Sequence, residues 1–296
     1  MFVSRSYHLE LLSFLAFFCL YALGAGAKLA SEFGDFSNPE QVTILGHASD
    51  AMEPFITRDG RYLFFNNSNA PAVNTDLHYA ERVDDVTFRY RGEIAGVNTP
   101  ALEGTPTMDM HNNLYFVSPR SYAQTFSTIY HGTFSSGGVS DVSLVPGLSK
   151  GKRGYVNFDV EVSPDGNRLN FVESRFSILG KPKTADIVIA ERTDSGFVRQ
   201  ADSELVMRQI NTSALEYAPS LSSDEREIFF TRFDGSLPAI YSATRARLAN
   251  PFGKPGKVAA IGGFAEGPSL SSDGRSLYYH KKKGKRFVIC CVSRGK

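Results

Sequence analysis

The sequence predicts an all-β fold assembled from five repeated units, and three observations carry that expectation. A phrase seen most cleanly as Gly267-Pro268-Ser269-Leu270-Ser271-Ser272-Asp273-Gly274-Arg275-Ser276-Leu277-Tyr278-Tyr279 recurs in register at Thr57, Asp109, Ser163, Ser222 and Ser271. The steps run from 49 to 59 residues, the kind of regular period that marks a repeat architecture. Its Asp-Gly pair is a turn signal between two stretches that alternate apolar and polar residues, the pattern of a β-hairpin. Each hairpin is followed by a third apolar stretch and, in four units, by a more polar fourth; four strands per unit make the blade of a β-propeller.

The first hairpin runs from Glu53 to Phe65 about Asp59-Gly60, and the second from Thr105 to Phe116 about Asn112-Asn113. The third carries Ser163-Pro164-Asp165-Gly166 and has Val160 where the other copies have proline. In the fourth, Ala218 to Phe230, the turn glycine has become Glu225, the poorest turn chemistry of the set. Third strands are expected at 76–80, 128–132, 186–190, 239–243 and 287–291, and fourth strands at 86–94, 139–145, 197–200 and 257–261. The chain ends at Lys296 before the fifth unit has a fourth strand, so Gln41 to Leu45 is expected to fill that place. This closes a ring of five blades and removes exposed sheet edges; six blades with one degenerate is the alternative. The pairs Leu63/Phe65, Leu114/Phe116, Leu169/Phe171, Ile228/Phe230 and Leu277/Tyr279 each fall on one sheet face and are assigned to packing between blades.

Composition bounds the function. At 296 residues with 42% hydrophobic and 21% charged, the chain can bury a substantial core, and a net charge of +1 with no basic motif sets nucleic acid aside. Arg5 and His8 precede an apolar run from Leu11 to Leu23 and the small residues Ala25-Gly26-Ala27, the layout of a signal peptide over 1–27 cleaved after Ala27. A single β-propeller domain over 28–296 remains, exported and monomeric. Its two cysteines, Cys290 and Cys291, are adjacent in a strand and point to opposite faces, so they do not form a bridge.

Pro-Ser-Leu-Ser-Ser-Asp-Gly-Arg-Ser-Leu-Tyr-Tyr, Ser163-Pro164-Asp165-Gly166 and the later Asp186-Ile187-Val188-Ile189-Ala190 strand together resemble the WD40-like (PD40) repeat of TolB-type propellers, across all five units. The resemblance implies a periplasmic or secreted protein that binds other proteins. It departs from TolB in leaving no room for a preceding α/β domain between Ala27 and Gln41, and the absence of tryptophan separates it from the WD-dipeptide and Asp-box propellers.

In a propeller, the loop entering the first strand and the loop leaving the second lie on one face, around the central channel. Acids stand before the first strands at Glu53, Glu103, Asp159, Glu216 and Glu266, and bases follow the second strands at Arg120, Arg175, Arg232 and Lys281. Such charges either pair along a solvated rim or form a mouth that binds a polar ligand or a partner's peptide tail. A carbohydrate-active enzyme is the alternative, since glycosidases place two carboxyl groups about 5 to 9.5 Å apart across a sugar; Tyr217 and Phe264 are the aromatic residues near these acids. No nucleophile, metal or phosphate motif is present, the histidines are scattered singly, and neither cofactor nor metal is expected. Lys281, Lys282, Lys283, Lys285 and Arg286 form a basic hairpin tip suited to an anionic surface. Asn66-Asn67-Ser68 and Asn211-Thr212-Ser213 match glycosylation acceptors.

Overall fold

The computed structural model describes residues 34–69, 74–177 and 180–295; the signal segment read over 1–27 lies outside them. The described chain is nearly all β. After β1 (Ser37–Gln41) and β2 (Thr43–Leu45), the first unit comprises β3 (Met52–Ile56), β4 (Tyr62–Asn66), β5 (Leu77–Arg82) and β6 (Thr87–Glu93). The second has β7 (Gly104–Met108), β8 (Asn113–Val117), the single-turn α1 (Tyr122–Thr125), β9 (Ile129–Ser135) and β10 (Gly138–Leu144). The third has β11 (Tyr155–Val162), β12 (Arg168–Phe176), β13 (Pro182–Thr193) and β14 (Gly196–Arg199), followed by α2 (Ser203–Met207). The fourth has β15 (Leu215–Leu221), β16 (Glu227–Phe233), β17 (Ala239–Thr244) and β18 (Gly256–Lys257), and the fifth β19 (Ala265–Leu270), β20 (Ser276–Lys283) and β21 (Arg286–Ser293). Strands within each unit pair antiparallel in sequence order, and the first strands touch their neighbours in the cyclic order β3, β7, β11, β15, β19 and back to β3.

The strand beside β21 is β1, with Glu40 opposite Cys291 and Gln41 opposite Cys290, rather than the expected Gln41 to Leu45. Val42 N–H still donates to Ile289 O at 2.9 Å, but Thr43 N–H donates to Val86 O at 2.8 Å, and β2 then runs parallel to β6. The segment therefore stitches the last unit to the first, with Val42 buried among Phe88, Tyr278 and Ile289. The fourth strand of the fourth unit is only Gly256–Lys257, shorter than the expected 257–261, although Val258 N–H still donates to Ile240 O at 3.0 Å just beyond it.

Five apolar clusters lie between neighbouring units. Leu63 and Phe65 pack on the fifth unit, Leu114 and Phe116 on the first, Leu169 and Phe171 on the second, Ile228 and Phe230 on the third, Leu277 and Tyr279 on the fourth. All ten are at most 1% exposed, and burying such a side chain stabilises by about 1.5–3 kcal/mol, so the clusters explain why the units assemble. Cys290 and Cys291 are free and buried, and burial pushes the Cys291 thiol up to about 12, leaving an inert apolar residue.

The hairpin turn is not the two-residue turn that Asp-Gly suggests. In the first unit Thr57 N–H donates to Tyr62 O at 2.9 Å, enclosing four residues, and Gly60 sits at φ +70°. Asp59 Oδ1 accepts from Thr57 Oγ1 and Arg61 N–H, at 2.6 and 3.0 Å. Ser163/Asp165, Ser222/Asp224 and Ser271/Asp273 repeat this clasp. Arg192 at the end of β13, and Arg245 and Arg294 just after β17 and β21, close it by donating to the turn carbonyls of Gly166, Glu225 and Gly274 at 2.7–2.9 Å. Glu225 holds the left-handed position at φ +55° because its carboxylate takes the Arg168 guanidinium in two parallel bonds of 2.9 and 2.6 Å.

Candidate functional site

Every first strand carries a β-bulge at the same place. The ladder skips Glu53-Pro54, Thr105-Pro106, Asp159-Val160, Ala218-Pro219 and Gly267-Pro268, and the first residue of each pair is left-handed, at φ +47° to +62°. Proline suits the bulge because the ladder needs no donor there. The five left-handed residues converge on one partly open pocket, whose empty space of about 330 Å³ includes open solvent. Among the described residues, no lysine or arginine lines it.

Side chains of the preceding unit catch the bulge N–H groups. Thr105 N–H donates to Asn66 Oδ1 at 3.3 Å, Gly267 N–H to Thr231 Oγ1 at 3.1 Å, and Glu53 N–H to His280 Nδ1 at 3.3 Å. Asn66, Thr231 and His280 stand at the same position of the second strand; the third unit has Val172 there, and Asp159 Oδ2 accepts Ala218 N–H at 3.0 Å instead. Three residues further along the first strands, Ser269, Thr107 and Ser220 hydroxyls catch Ile56, Val162 and Leu270 N–H at 3.0–3.3 Å.

Two of the five acids, Glu53 and Asp159, line this pocket, and a third, Glu266, is linked to Glu53 through His280. Glu53 Oε1 accepts from Asn69 Nδ2 at 2.7 Å and lies 3.9 Å from His280 Nδ1. His280 Nδ1 accepts the Glu53 N–H, so its Nε2 is the donor to Glu266 Oε2 at 3.1 Å. Glu266 Oε1 accepts from the Tyr217 hydroxyl. Burial, with the neighbouring Glu266 adding and His280 opposing, raises the Glu53 carboxyl above its usual range; burial and Glu53 raise Asp159 well above its own. Burial and Glu266 likewise raise the Tyr217 hydroxyl. Thr105 Oγ1, on the pocket wall, is buried without a hydrogen-bond partner. Beneath the carboxyls, Arg58 reaches from the first hairpin to Glu161 Oε1 at 2.8 Å and Val162 O at 2.7 Å, with Thr107 Oγ1 on the other Glu161 oxygen at 2.8 Å. This pair, its side chains 7% and 6% exposed, ties the first unit to the third across the channel.

The structure places the other sequence-selected residues elsewhere. Glu103 and Glu216 are fully buried and organise loops: Glu103 accepts from Thr99 N–H and Oγ1 at 2.8 Å, Glu216 from Thr212 N–H and Oγ1 at 2.9 and 2.6 Å. Asn98 and Asn211 in the same loops bond both backbone groups of Leu77 and Ile187. The two loops share the string Asn-Thr-x-Ala-Leu-Glu, a repeat that would have assigned these glutamates to structure. Asn211 is thereby held by backbone, and Asn66 is buried. Arg232 bonds Glu216 and Ile210 O, both at 2.7 Å, and Arg120 bonds Val97 O over the Tyr130 ring. Arg175 is exposed on β12, and Lys281 is half-buried on β20 opposite Ala265.

No family model and no curated protein matches the chain. Among solved structures it is similar to a glycoside hydrolase (10% identity, TM-score 0.60, covering 88% of this chain and 92% of that one). It is also similar to the family 117 glycoside hydrolase Zg3597 of Zobellia galactanivorans (10%, 0.54, 88% and 90%). TolB from Acinetobacter baumannii matches at 18% identity and a TM-score of 0.45 over 80% of the chain, which spans about half the length of that protein. At these identities the likeness establishes the β-propeller fold and nothing finer.

Proposed function

We propose that this chain is an exported five-bladed propeller, closed by β1 on the last blade, that acts as a binding or scaffold module for another envelope or secreted protein. In this reading residues 1–27 are a cleaved signal peptide and 28–296 a monomeric domain. The cyclic contacts of the five first strands and the β1–β21 pairing support five blades rather than six.

One observation carries the binding role: Glu53 and Asp159 project from left-handed bulges into a pocket lined, among the described residues, by no lysine or arginine, and burial raises both. An acidic cavity lined by Glu53, Asp159 and the Arg58-paired Glu161 fits a group rich in hydrogen-bond donors, such as an ammonium or a cluster of hydroxyls at the end of a partner chain. Affinity capture from envelope extract, with wild type beside Asp159→Asn/Glu266→Gln, tests it. Loss of the captured partner by the double variant is expected; equal capture at low and high salt would remove the pocket from binding.

A glycosidase-like activity is the second reading, favoured by acids of unequal environment around one pocket. Against it, Tyr217 is engaged by Glu266 rather than offered as a sugar platform, and Glu53, Asp159 and Glu266 all accept bonds from the protein. Release of nitrophenol from nitrophenyl glycosides by wild type, abolished in Asp159→Asn, would reverse the preference.

A further inference from the structure

The pocket side of the molecule carries a second feature, independent of the pocket. The loops at the starts of β11, β15 and β19 share that side with the β12–β13, β16–β17 and β20–β21 hairpins, since Tyr155 pairs with Arg175, Leu215 with Phe233, and Ala265 with Lys281. Segments 148–155, 173–186, 232–239 and 281–286 hold twelve lysines and arginines against three carboxylates, although the whole chain is +1. Among these charges Arg232 pairs with Glu216 and Arg286 with Asp50, both outside the segments, while Glu173 is engaged by Lys150 and Arg199 and Asp234 by Ser236. Lys152, Arg153, Arg175, Lys181, Lys183, Lys282 and Lys285 are exposed.

Between the two basic hairpins, the β16–β17 loop presents Leu237, 56% exposed and followed by Pro238. A large apolar side chain exposed to water on a unit whose two neighbours carry hairpins with exposed lysines matches the boundary of an anionic bilayer. There the charges meet phosphate headgroups and the apolar residue enters the acyl edge. A soluble acidic protein would satisfy the charges and leave Leu237 without a role.

We propose that this face docks the protein on membranes rich in anionic phospholipid, with the Lys152/Lys181/Lys183 and Lys282/Lys285 clusters as the electrostatic contacts and Leu237 as the inserted residue. Because the chain has no tryptophan, Leu237→Trp makes a single-site reporter. Sedimentation with phosphatidylcholine vesicles, with and without phosphatidylglycerol, reads the binding. The expected result is binding only when phosphatidylglycerol is present, reversal by high salt, and a blue shift of the indole emission of the Leu237→Trp variant on binding. Each of Lys181→Gln, Lys183→Gln, Lys282→Gln and Lys285→Gln should weaken binding by about five-fold; all four are exposed, so folding is not at stake. Equal binding to both vesicle types, an unshifted emission, or capture by soluble polyphosphate with the vesicles ignored overturns the proposal.

Discussion

Gly267 is the one glycine among the five bulge residues, and its reason is a neighbour rather than its own backbone. Ala218 already occupies the equivalent position at φ +50°, so an alanine in the left-handed region is tolerated by this fold. At Gly267, however, a Cβ would collide with Glu53 Oε2 and stand 3.1 Å from His280 Nδ1. Gly267→Ala therefore combines a left-handed cost of about 1–2 kcal/mol with an overpacking cost of about 1–3 kcal/mol, for roughly 2–5 kcal/mol in all. For a chain of this size each kcal/mol lowers Tm by about 2–4 °C. The decisive measurement is a double-mutant cycle by denaturant unfolding. In the Glu53→Ala background the colliding carboxyl is gone, so Gly267→Ala should cost only the backbone part, with a coupling of about 1–3 kcal/mol. Equal costs in the two backgrounds would show that the Glu53 carboxyl does not press on Gly267, and the account of the pocket wall would fail.

Three further outcomes follow from the same geometry. Asp159 is raised in the fold, so the native state holds its proton to higher pH than the unfolded chain and loses stability as pH climbs from the ordinary carboxylate value through the raised one. Asp159→Asn, whose amide oxygen can still accept Ala218 N–H, should raise Tm at pH 7–8 and flatten that decline; an unchanged pH profile of unfolding would contradict the burial assigned to it. Arg58→Ala leaves Glu161 buried against Thr107 alone and should cost about 3–5 kcal/mol, most of it recovered by Arg58→Met/Glu161→Leu in the same urea titration. Glu225→Gly relieves the left-handed strain but releases Arg168, so its net effect should stay within about 1 kcal/mol, whereas Arg168→Ala alone should destabilise.

Much of the fold could be read from residue order because it is local. Strand alternation put Leu63/Phe65 and their four counterparts on one face, and those residues are the interfaces between units. The Ser/Thr-x-Asp spacing in the turn was also present in the sequence, but its use as a side-chain clasp depends on a hydroxyl and a carboxylate meeting in a four-residue loop. The path of Ser37–Gln41 was misplaced by a few residues because nothing local distinguishes a strand that leaves one sheet at Val42 from one that continues.

The acids divide for a different reason. Glu53, Glu103, Asp159, Glu216 and Glu266 look alike in the chain, each a carboxylate shortly before a first strand. A shift of two residues relative to the bulge separates Glu53 and Asp159, which point into the pocket, from Glu103 and Glu216, which point into their own loops. His280 enters because it shares a strand position with Asn66 and Thr231, yet its partners come from the fifth unit and the first, more than two hundred residues apart in sequence. Periodicity and turn chemistry thus determined the repeat, the strands and the core, since these depend on contacts within some tens of residues. Which carboxylates share a cavity was decided only by the tertiary arrangement, where left-handed bulges from five units meet and burial changes the proton affinity of the groups they carry.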